Sequence, residues 1–349
     1  MELPVDHLRS TSTTQLYRAP SFSFPGFDHH VWYHVQPHEV PTMQAAIDII
    51  RAQTRLGIQV FTFPAVCTDA DPHYCAAVME KAQQRGVRIL VHIPVTDSDS
   101  NTPDHVTSSQ RHDILNEWIS RGAVGVDLGE IDLTQPQNHE FAQHQALHLL
   151  QAEIQGINPD AIVSLFLRGP SLEAITAHAL EDYVHVLRYE VTNAPSIHAR
   201  SLSDRLFEAI ALSDAVGALP SWNCSGGLYN LTGGRLSASA TLLMRCFLPG
   251  ILHFHEHVEG YSPSTRHALR IRHSLNLYRA NMLIDDSQAD DGFIWLITDP
   301  VDMLINFGPY DYHVPNDGRV LVSSMIALPQ VGNDLVIPPG EVAWRRRDQ

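Results

Sequence analysis

The chain has 349 residues, of which 44% are hydrophobic and 18% are charged, a balance typical of a folded globular protein rather than a disordered one. Its formal net charge of −16 repels nucleic-acid phosphates and argues against a nucleic-acid partner. No apolar run reaches the length of about 18 residues that a membrane span needs, so the sequence predicts no membrane span within this chain.

Along the chain, apolar segments rich in β-branched residues alternate with segments of helical periodicity. Residues 1–27 are rich in Ser, Thr and Pro and are predicted to be extended. The predicted strands are 31–35, 58–63, 88–93, 124–128, 161–167, 183–191, 217–222 and 251–257. The predicted helices are 41–57, 72–86, 108–122, 138–156, 171–180, 203–212, 236–247 and 264–282.

Eight strand–helix units with continuously apolar strands predict a parallel sheet covered on both faces, and they favour closure into a (β/α)₈ TIM barrel. Beyond about residue 281 the helical pattern ends, and short strands separated by Asp, Pro and Gly indicate a small all-β domain. Those strands are 292–297, 303–306, 319–323, 334–337 and 341–345. The domain prediction is an extended segment at 1–27, a barrel at 28–284 and a C-terminal β-domain at 285–349.

Three segments carry a resemblance to a known family. Residues 248–260 read LPGILHFHEHVEG, residues 118–128 read WISRGAVGVDL, and the tail carries LINF at 304–307 and PGEVAW at 339–344. These segments, in this order, resemble the α-amylase family (glycoside hydrolase family 13). The resemblance implies an amylase-like barrel with its catalytic groups at the carboxyl ends of the strands.

The polar residues that this family uses for catalysis are absent from the corresponding places. Val91 stands at the Asp place of the third strand, and Asp127 and Gly129 stand at the Arg and Asp places of the fourth. The fifth strand, 162–167, contains no Glu, and 226–228 reads Gly-Gly-Leu where the family has Asn-His-Asp. The resemblance therefore predicts no catalytic residues and a chain that is not an enzyme.

Only residues 96–108 separate the third strand from the next helix, so the large inserted domain of amylases is missing. An inactive barrel without the insert resembles the heavy-chain ectodomain of heteromeric amino-acid transporters. That implies a membrane-associated glycoprotein on the extracellular side of the plasma membrane, with a multispanning transporter light chain as partner and no cofactor. Asn223 and Asn230 head N-x-[ST] triplets and are the predicted glycosylation sites.

Two alternatives stay open. His253, His255 and His257 alternate along a strand and could face one side, so a metal-dependent TIM-barrel hydrolase is possible, with His92 and Asp127 as further ligands. The prediction nevertheless is no bound metal. The other alternative is a diverged amylase-like sugar-binding protein.

Several charged and thiol groups have a plain interpretation. Asp127, Glu130 and Asp132 could form a relocated acid pair, but a solvated loop is the preferred interpretation. The run 345–347, three arginines, is predicted to be a solvated C-terminus. The four cysteines fit no CxxC metal pattern, and their pairing stays open: Cys67, Cys75, Cys224 and Cys246.

Overall fold

The structure of the chain is a computed structural model. It describes residues 8–11, 31–67, 71–94, 108–132, 141–168, 184–188, 198–215, 219–223, 235–255 and 263–347. Strand β1 (Leu8–Thr11) comes first in the chain. The next eight strands form one parallel sheet that is nearly closed into a barrel, in the order β7-β6-β5-β4-β3-β2-β9-β8. They are β2 Val31–His34, β3 Val60–Pro64, β4 Arg88–His92, β5 Gly125–Asp132, β6 Ile162–Arg168, β7 Val186–Arg188, β8 Ser221–Asn223 and β9 Ile251–Phe254.

Helices follow the strands as the alternating pattern predicts, which confirms a TIM barrel. They are α1 Met43–Thr54, α2 Tyr74–Arg85, α3 Ser108–Ser120, α4 Phe141–Ile157, α5 Ala199–Ala215, α6 Ala238–Phe247 and α7 Pro263–Ser274. Local chemistry sets several of their ends. The Thr42 hydroxyl accepts a hydrogen bond from the Ala45 amide at 3.2 Å and caps α1. Gly86 ends α2 in the left-handed conformation, at φ 64°. The helix predicted at 171–180 lies outside the described residues.

One predicted helix is too long. The sequence predicts a helix over 264–282, whereas α7 ends at Ser274. Asn276 adopts φ 52°, a left-handed conformation that stops the helix, and a 3₁₀ turn at Leu277–Arg279 follows. Strand β10, Met282–Asp285, then begins the antiparallel part of the chain.

The C-terminal strands form two antiparallel sheets, which confirms the predicted all-β region. A six-stranded sheet has the order β1-β10-β11-β12-β17-β14, and a three-stranded sheet has the order β13-β16-β15. Their remaining members are β11 Phe293–Ile297, β12 Val301–Asn306, β13 Tyr312–Pro315, β14 Gly318–Ser323, β15 Gln330–Val331, β16 Asp334–Ile337 and β17 Val342–Arg347.

By internal contacts the chain divides into two compact units. One comprises residues 18–189 and 251–257, and the other comprises 1–17, 190–250 and 258–349. The boundaries proposed from the sequence, 1–27, 28–284 and 285–349, remain a prediction. No helix in the described part of the chain is long and apolar enough to cross a membrane.

The second unit joins the last helices to the β-domain through buried contacts. Trp344 on β17 is fully buried and meets Phe247 of α6 edge-on, with ring centroids 5.2 Å apart. The buried Arg272 of α7 donates to the backbone carbonyls of Cys246, Leu248 and Gly250, which close the turn after α6. These bonds satisfy carbonyls that the end of α6 leaves unpaired.

The prediction that the arginine run 345–347 is solvated is wrong for Arg345, whereas Arg346 is exposed. The side chain of Arg345 is 0% exposed and donates to Asp302 at 3.0 Å and to Asp317 at 2.5 Å. Its guanidinium also lies 5.0 Å from the ring centroid of Trp295, in a cation–π arrangement. The alternation of β17 turns Arg345 inward, where these partners offset the cost of burying its charge.

We expect Arg345→Met to lower the free energy of unfolding by roughly 3–5 kcal/mol, because it leaves the fully buried Asp302 carboxylate without its charged partner. Chemical denaturation followed by tryptophan fluorescence measures the loss. Arg319→Met is the matched control, since Arg319 lies exposed on the neighbouring strand β14. Equal small effects in both variants would contradict the assignment of a buried ion pair.

Candidate active site

Polar side chains lie at the carboxyl ends of six barrel strands. These ends meet at one face of a (β/α)₈ barrel, which we call the mouth, and this face is where such barrels carry their active sites. The mouth cluster consists of His34 on β2, Thr62 on β3, His92 on β4, Asp127 on β5, Arg188 on β7, His253 on β9 and His255 just after β9.

A buried ion pair forms the centre of this cluster. Arg188 Nη2 donates to Asp127 Oδ1 at 2.6 Å, and each side chain is 2% exposed. Burial alone would raise the pKa of Asp127. The charge of Arg188, followed by the imidazoles of His34 and His92, outweighs burial and holds that pKa well below its usual range. Asp127 is therefore ionised near pH 7, and it acts as a hydrogen-bond acceptor only.

His92 connects this buried pair to the opening of the barrel. Its Nδ1 lies 3.0 Å from Asp127 Oδ2, and its side chain is 31% exposed. Because the carboxylate can only accept, Nδ1 of His92 carries the proton of this bond. Its Nε2 has no hydrogen-bond partner among the described residues and is left as a base when the ring is neutral. A carboxylate that orients an imidazole in this way is a recurring arrangement for general acid–base catalysis.

Three further imidazoles pack behind the ion pair. His34 Nε2 lies 2.8 Å from His253 Nδ1, and the rings of His34 and His255 stack with centroids 4.3 Å apart. Burial, followed by the charge of Arg188, lowers the pKa of His34 to about 4. Burial and the neighbouring His34 lower the pKa of His253 and of His255 well below the usual value. All three rings are therefore neutral near pH 7.

Strand β5 contains a bulge that changes which side chains face inward. Asp127 pairs with Ser164 on β6, and Glu130 pairs with Phe166. The advance of three residues along β5 therefore lies opposite an advance of only two residues along β6. Gly129 supplies the left-handed turn at φ 77°, and its carbonyl accepts from Arg188 at 3.1 Å. Glycine is favoured there because other residues are strained at this φ, and a Cβ would also make a tight contact of 3.0 Å with Cε1 of His92. Bulges of this kind commonly redirect a side chain beside an active site.

The cluster does not resemble a metal centre. Among the described residues, no three His, Cys, Asp or Glu side chains converge as a ligand set. Asp127 and His34 instead contact Arg188, whose Nη1 lies 3.1 Å from His34 Nδ1. The guanidinium thus supplies the positive charge that a metal ion would bring to this position.

The sequence-based candidates are only partly placed. His253 and His255 share the inward face, as their alternation predicts, while His257 lies outside the described residues. Asp127 is part of the buried cluster, so the preferred interpretation as a solvated loop is wrong for this residue; the bulge and the ladder to β6 keep the strand going through Asp132.

The described residues include only some of the predicted glycosylation sites and cysteines. Asn230 and Cys224 lie outside the described residues, and Asn223 is the last residue of β8. Glycosylation of Asn223 and Asn230 remains a prediction. The other three cysteines are buried: Cys67, Cys75 and Cys246.

Sequence reasoning missed His34, Thr62 and Arg188. The signal that could have found them is a polar residue inside a strand that is otherwise apolar, because such a residue must either end the strand or face a polar interior. The Thr62 hydroxyl lies 2.8 Å from His34 Nδ1, the ring nitrogen that Arg188 Nη1 also contacts.

No family model and no curated protein matches this chain in sequence. Among solved structures, an α-glucosyl transfer enzyme, XgtA, has a TM-score of 0.57 at 11% identity over 93% of this chain and 100% of its own. An enzyme of family GH13_31 has a TM-score of 0.57 at 8% identity, over 93% of this chain and 100% of its own. A glycoside hydrolase has a TM-score of 0.57 at 9% identity, over 91% of this chain and 93% of its own. The chain thus shares its fold with these three proteins.

These neighbours overturn the prediction that the chain is not an enzyme: they are an α-glucosyl transfer enzyme, an enzyme of family GH13_31 and a glycoside hydrolase. The physical reason for the error lies in the mouth. Carboxylates were sought at the family's own strand positions, whereas the ionisable groups of this chain converge from other positions, with Asp127 and Arg188 as their centre.

We expect the free energy of unfolding to fall as the pH drops from about 6.5 to about 4. An unfolded imidazole has a pKa of about 6.5, while His34 in the folded protein has a pKa of about 4. Between these values the unfolded chain binds more protons, so acid favours unfolding. Each buried imidazole adds up to about 1.4 kcal/mol per pH unit.

Urea denaturation at a series of pH values measures this slope. His34→Gln removes one of the three imidazoles and is expected to make the slope shallower, whereas His112→Gln, at an exposed histidine on α3, is expected to leave it unchanged. A free energy that stays constant over this pH interval would show that the imidazoles are not buried in neutral form.

Proposed function

We propose that this chain is an enzyme that cleaves or transfers glycosidic bonds at the barrel mouth, with His92 as its general acid and base. The observation that carries the proposal is the His92–Asp127 pair. In this pair a buried carboxylate orients a partly exposed imidazole on the neighbouring strand, at the mouth of the barrel. The glycosidic substrate class is supported by the likeness of the barrel to a glucosyl transfer enzyme and to glycoside hydrolases.

In the proposed reaction, His92 acts first as an acid and then as a base. In its protonated form, Nε2 donates a proton to the oxygen of the leaving group as the glycosidic bond breaks. The neutral ring then takes a proton from the incoming water or sugar hydroxyl. Asp127 holds the ring by its Nδ1–H throughout, and Arg188 keeps Asp127 charged, so the ring can change charge without turning.

Three other roles were considered for this chain: a transporter subunit, a sugar-binding protein and a metal-dependent hydrolase. A transporter heavy-chain role, with a light-chain partner and an extracellular location, remains a prediction that no contact of the described residues tests. Sugar binding without turnover is the alternative that the activity experiment separates. A metal-dependent hydrolase is disfavoured because Arg188 occupies the position beside Asp127.

We expect His92→Gln to lower kcat/KM on a glycoside by about 10²–10⁴-fold, the usual contribution of a general acid–base group. Purified protein is incubated with aryl glycosides and with α-gluco-oligosaccharides, and release of the aryl alcohol and of reducing sugar is followed. Added chelator is expected to leave the rate unchanged.

His112→Gln is the matched control, because His112 also pairs with a carboxylate, Glu153 at 2.8 Å, but lies on the outer helices. Its activity is expected to equal that of the unmodified protein. Binding of oligosaccharide with no turnover by the unmodified protein would contradict the proposal and leave a sugar-binding role. A rate that His92→Gln leaves unchanged would refute the assignment of His92.

A further inference from the structure

Cleavage of a glycosidic bond needs an accessible carboxylate beside the anomeric carbon in addition to an acid. Asp127 is poorly suited to that task. Its Oδ1 accepts from Arg188, its Oδ2 accepts from His92, and its side chain is 2% exposed. An attack by either oxygen would neutralise the carboxylate and leave the buried Arg188 without its counter-ion, which is strongly unfavourable. The reacting carboxylate must therefore be a different one.

The bulge in β5 turns Glu130 toward the interior of the barrel. In a regular strand the third residue after Asp127 would point to the opposite face. Because the bulge adds one residue, Glu130 instead pairs with Phe166, which shares its face with Ser164, the partner of Asp127. Arg188 confirms that this face is the inner one, since its guanidinium bonds Asp127 and lies 5.9 Å from the ring centroid of Phe166.

Glu130 also has the exposure and the neighbours that a reacting group needs. It is exposed, whereas Asp127 is buried. Its negative charge acts on Arg188, opposing the lowering of that pKa by burial, which places the carboxylate near the cluster. Gly129, the residue before it, lies against His92 of the adjacent strand. Adjacent strands are only about 4.8 Å apart, so the imidazole and the carboxylate flank the same space.

We propose that Glu130 is the catalytic nucleophile, an inference that rests on the function proposed above. A carboxylate oxygen of Glu130 forms a bond to the anomeric carbon while the glycosidic C–O bond breaks, and the departing oxygen takes the proton from His92 Nε2. Water then attacks the anomeric carbon and gives its proton to His92, and the bond to Glu130 breaks. Two displacements retain the configuration of the sugar.

Three variants, compared on two substrates, test this assignment. The substrates are a 2,4-dinitrophenyl glycoside, whose leaving group needs no proton, and an ordinary aryl glycoside of the same sugar. Glu130→Gln is expected to lose about 10³-fold or more on both substrates, because bond formation to carbon is needed in each case. His92→Gln is expected to lose activity mainly on the ordinary aryl glycoside. Glu117→Gln, at an exposed glutamate of α3, is expected to behave like the unmodified protein.

Azide supplies a readout that a purely structural role of Glu130 would not change. In Glu130→Ala, azide is expected to restore cleavage of the dinitrophenyl glycoside and to give a glycosyl azide of inverted configuration. In the unmodified protein, a 2-deoxy-2-fluoro glycosyl fluoride is expected to add one sugar, which peptide mapping places on Glu130.

The outcomes separate the two proposals. Normal turnover by Glu130→Gln, inverted products from the unmodified protein, or a label on another residue would overturn the role of Glu130 while leaving His92 in place. No turnover by the unmodified protein overturns both proposals. The labelling result does not depend on any variant folding, and circular dichroism establishes whether the variants fold.

Discussion

The ion pair between Asp127 and Arg188 is the interaction on which the mouth of this barrel depends. Removing both charges from water costs several kcal/mol for each ion, and only close contact with further hydrogen bonds offsets that cost. The contact of 2.6 Å, the carbonyl of Gly129 and the imidazole of His92 provide those bonds. Removal of either residue would leave the other charge buried without a partner. The arrangement of the surrounding residues therefore depends on both members of the pair.

Three of the four imidazoles around this pair are buried, and the fourth, His92, is partly exposed. Burial, followed by the charges of neighbouring groups such as Arg188, lowers the pKa of His34, His253 and His255 and keeps these rings neutral near pH 7. His92 differs because it contacts the carboxylate and reaches solvent. Three of these four imidazoles therefore have a structural role. The fourth, His92, can exchange protons with a substrate.

The sequence predicted the barrel well because its signals are local. Continuous apolar strands, helix ends at residues such as Gly86, and the change of pattern near residue 281 each follow from short segments. It failed where a fact depends on pairing between distant segments. The inward face of Glu130 follows from a bulge against β6, and burial of Arg345 follows from Asp302 on another strand.

The error about enzymatic activity has the same physical origin. At the strand position where the amylase family has a carboxylate, this chain has Gly129. The structure shows why a glycine is favoured: the backbone turns at φ 77° and lies against His92. Gly129 has no side chain of its own, and the bulge that it allows turns the next residue, Glu130, to the inner face. Arg188, from a strand 61 residues further along, could be matched to Asp127 only in three dimensions.

The central claim is that ionised Asp127 fixes His92 with its proton on Nδ1. Nitrogen NMR of protein labelled with ¹⁵N-histidine measures this directly, since protonated and unprotonated ring nitrogens have distinct shifts, and the spectrum of His92→Gln identifies the signals of His92. In the neutral ring, the account requires a protonated Nδ1 and an unprotonated Nε2, and it requires that Asp127→Asn abolish this preference. A neutral His92 with its proton on Nε2, unaffected by Asp127→Asn, would contradict it.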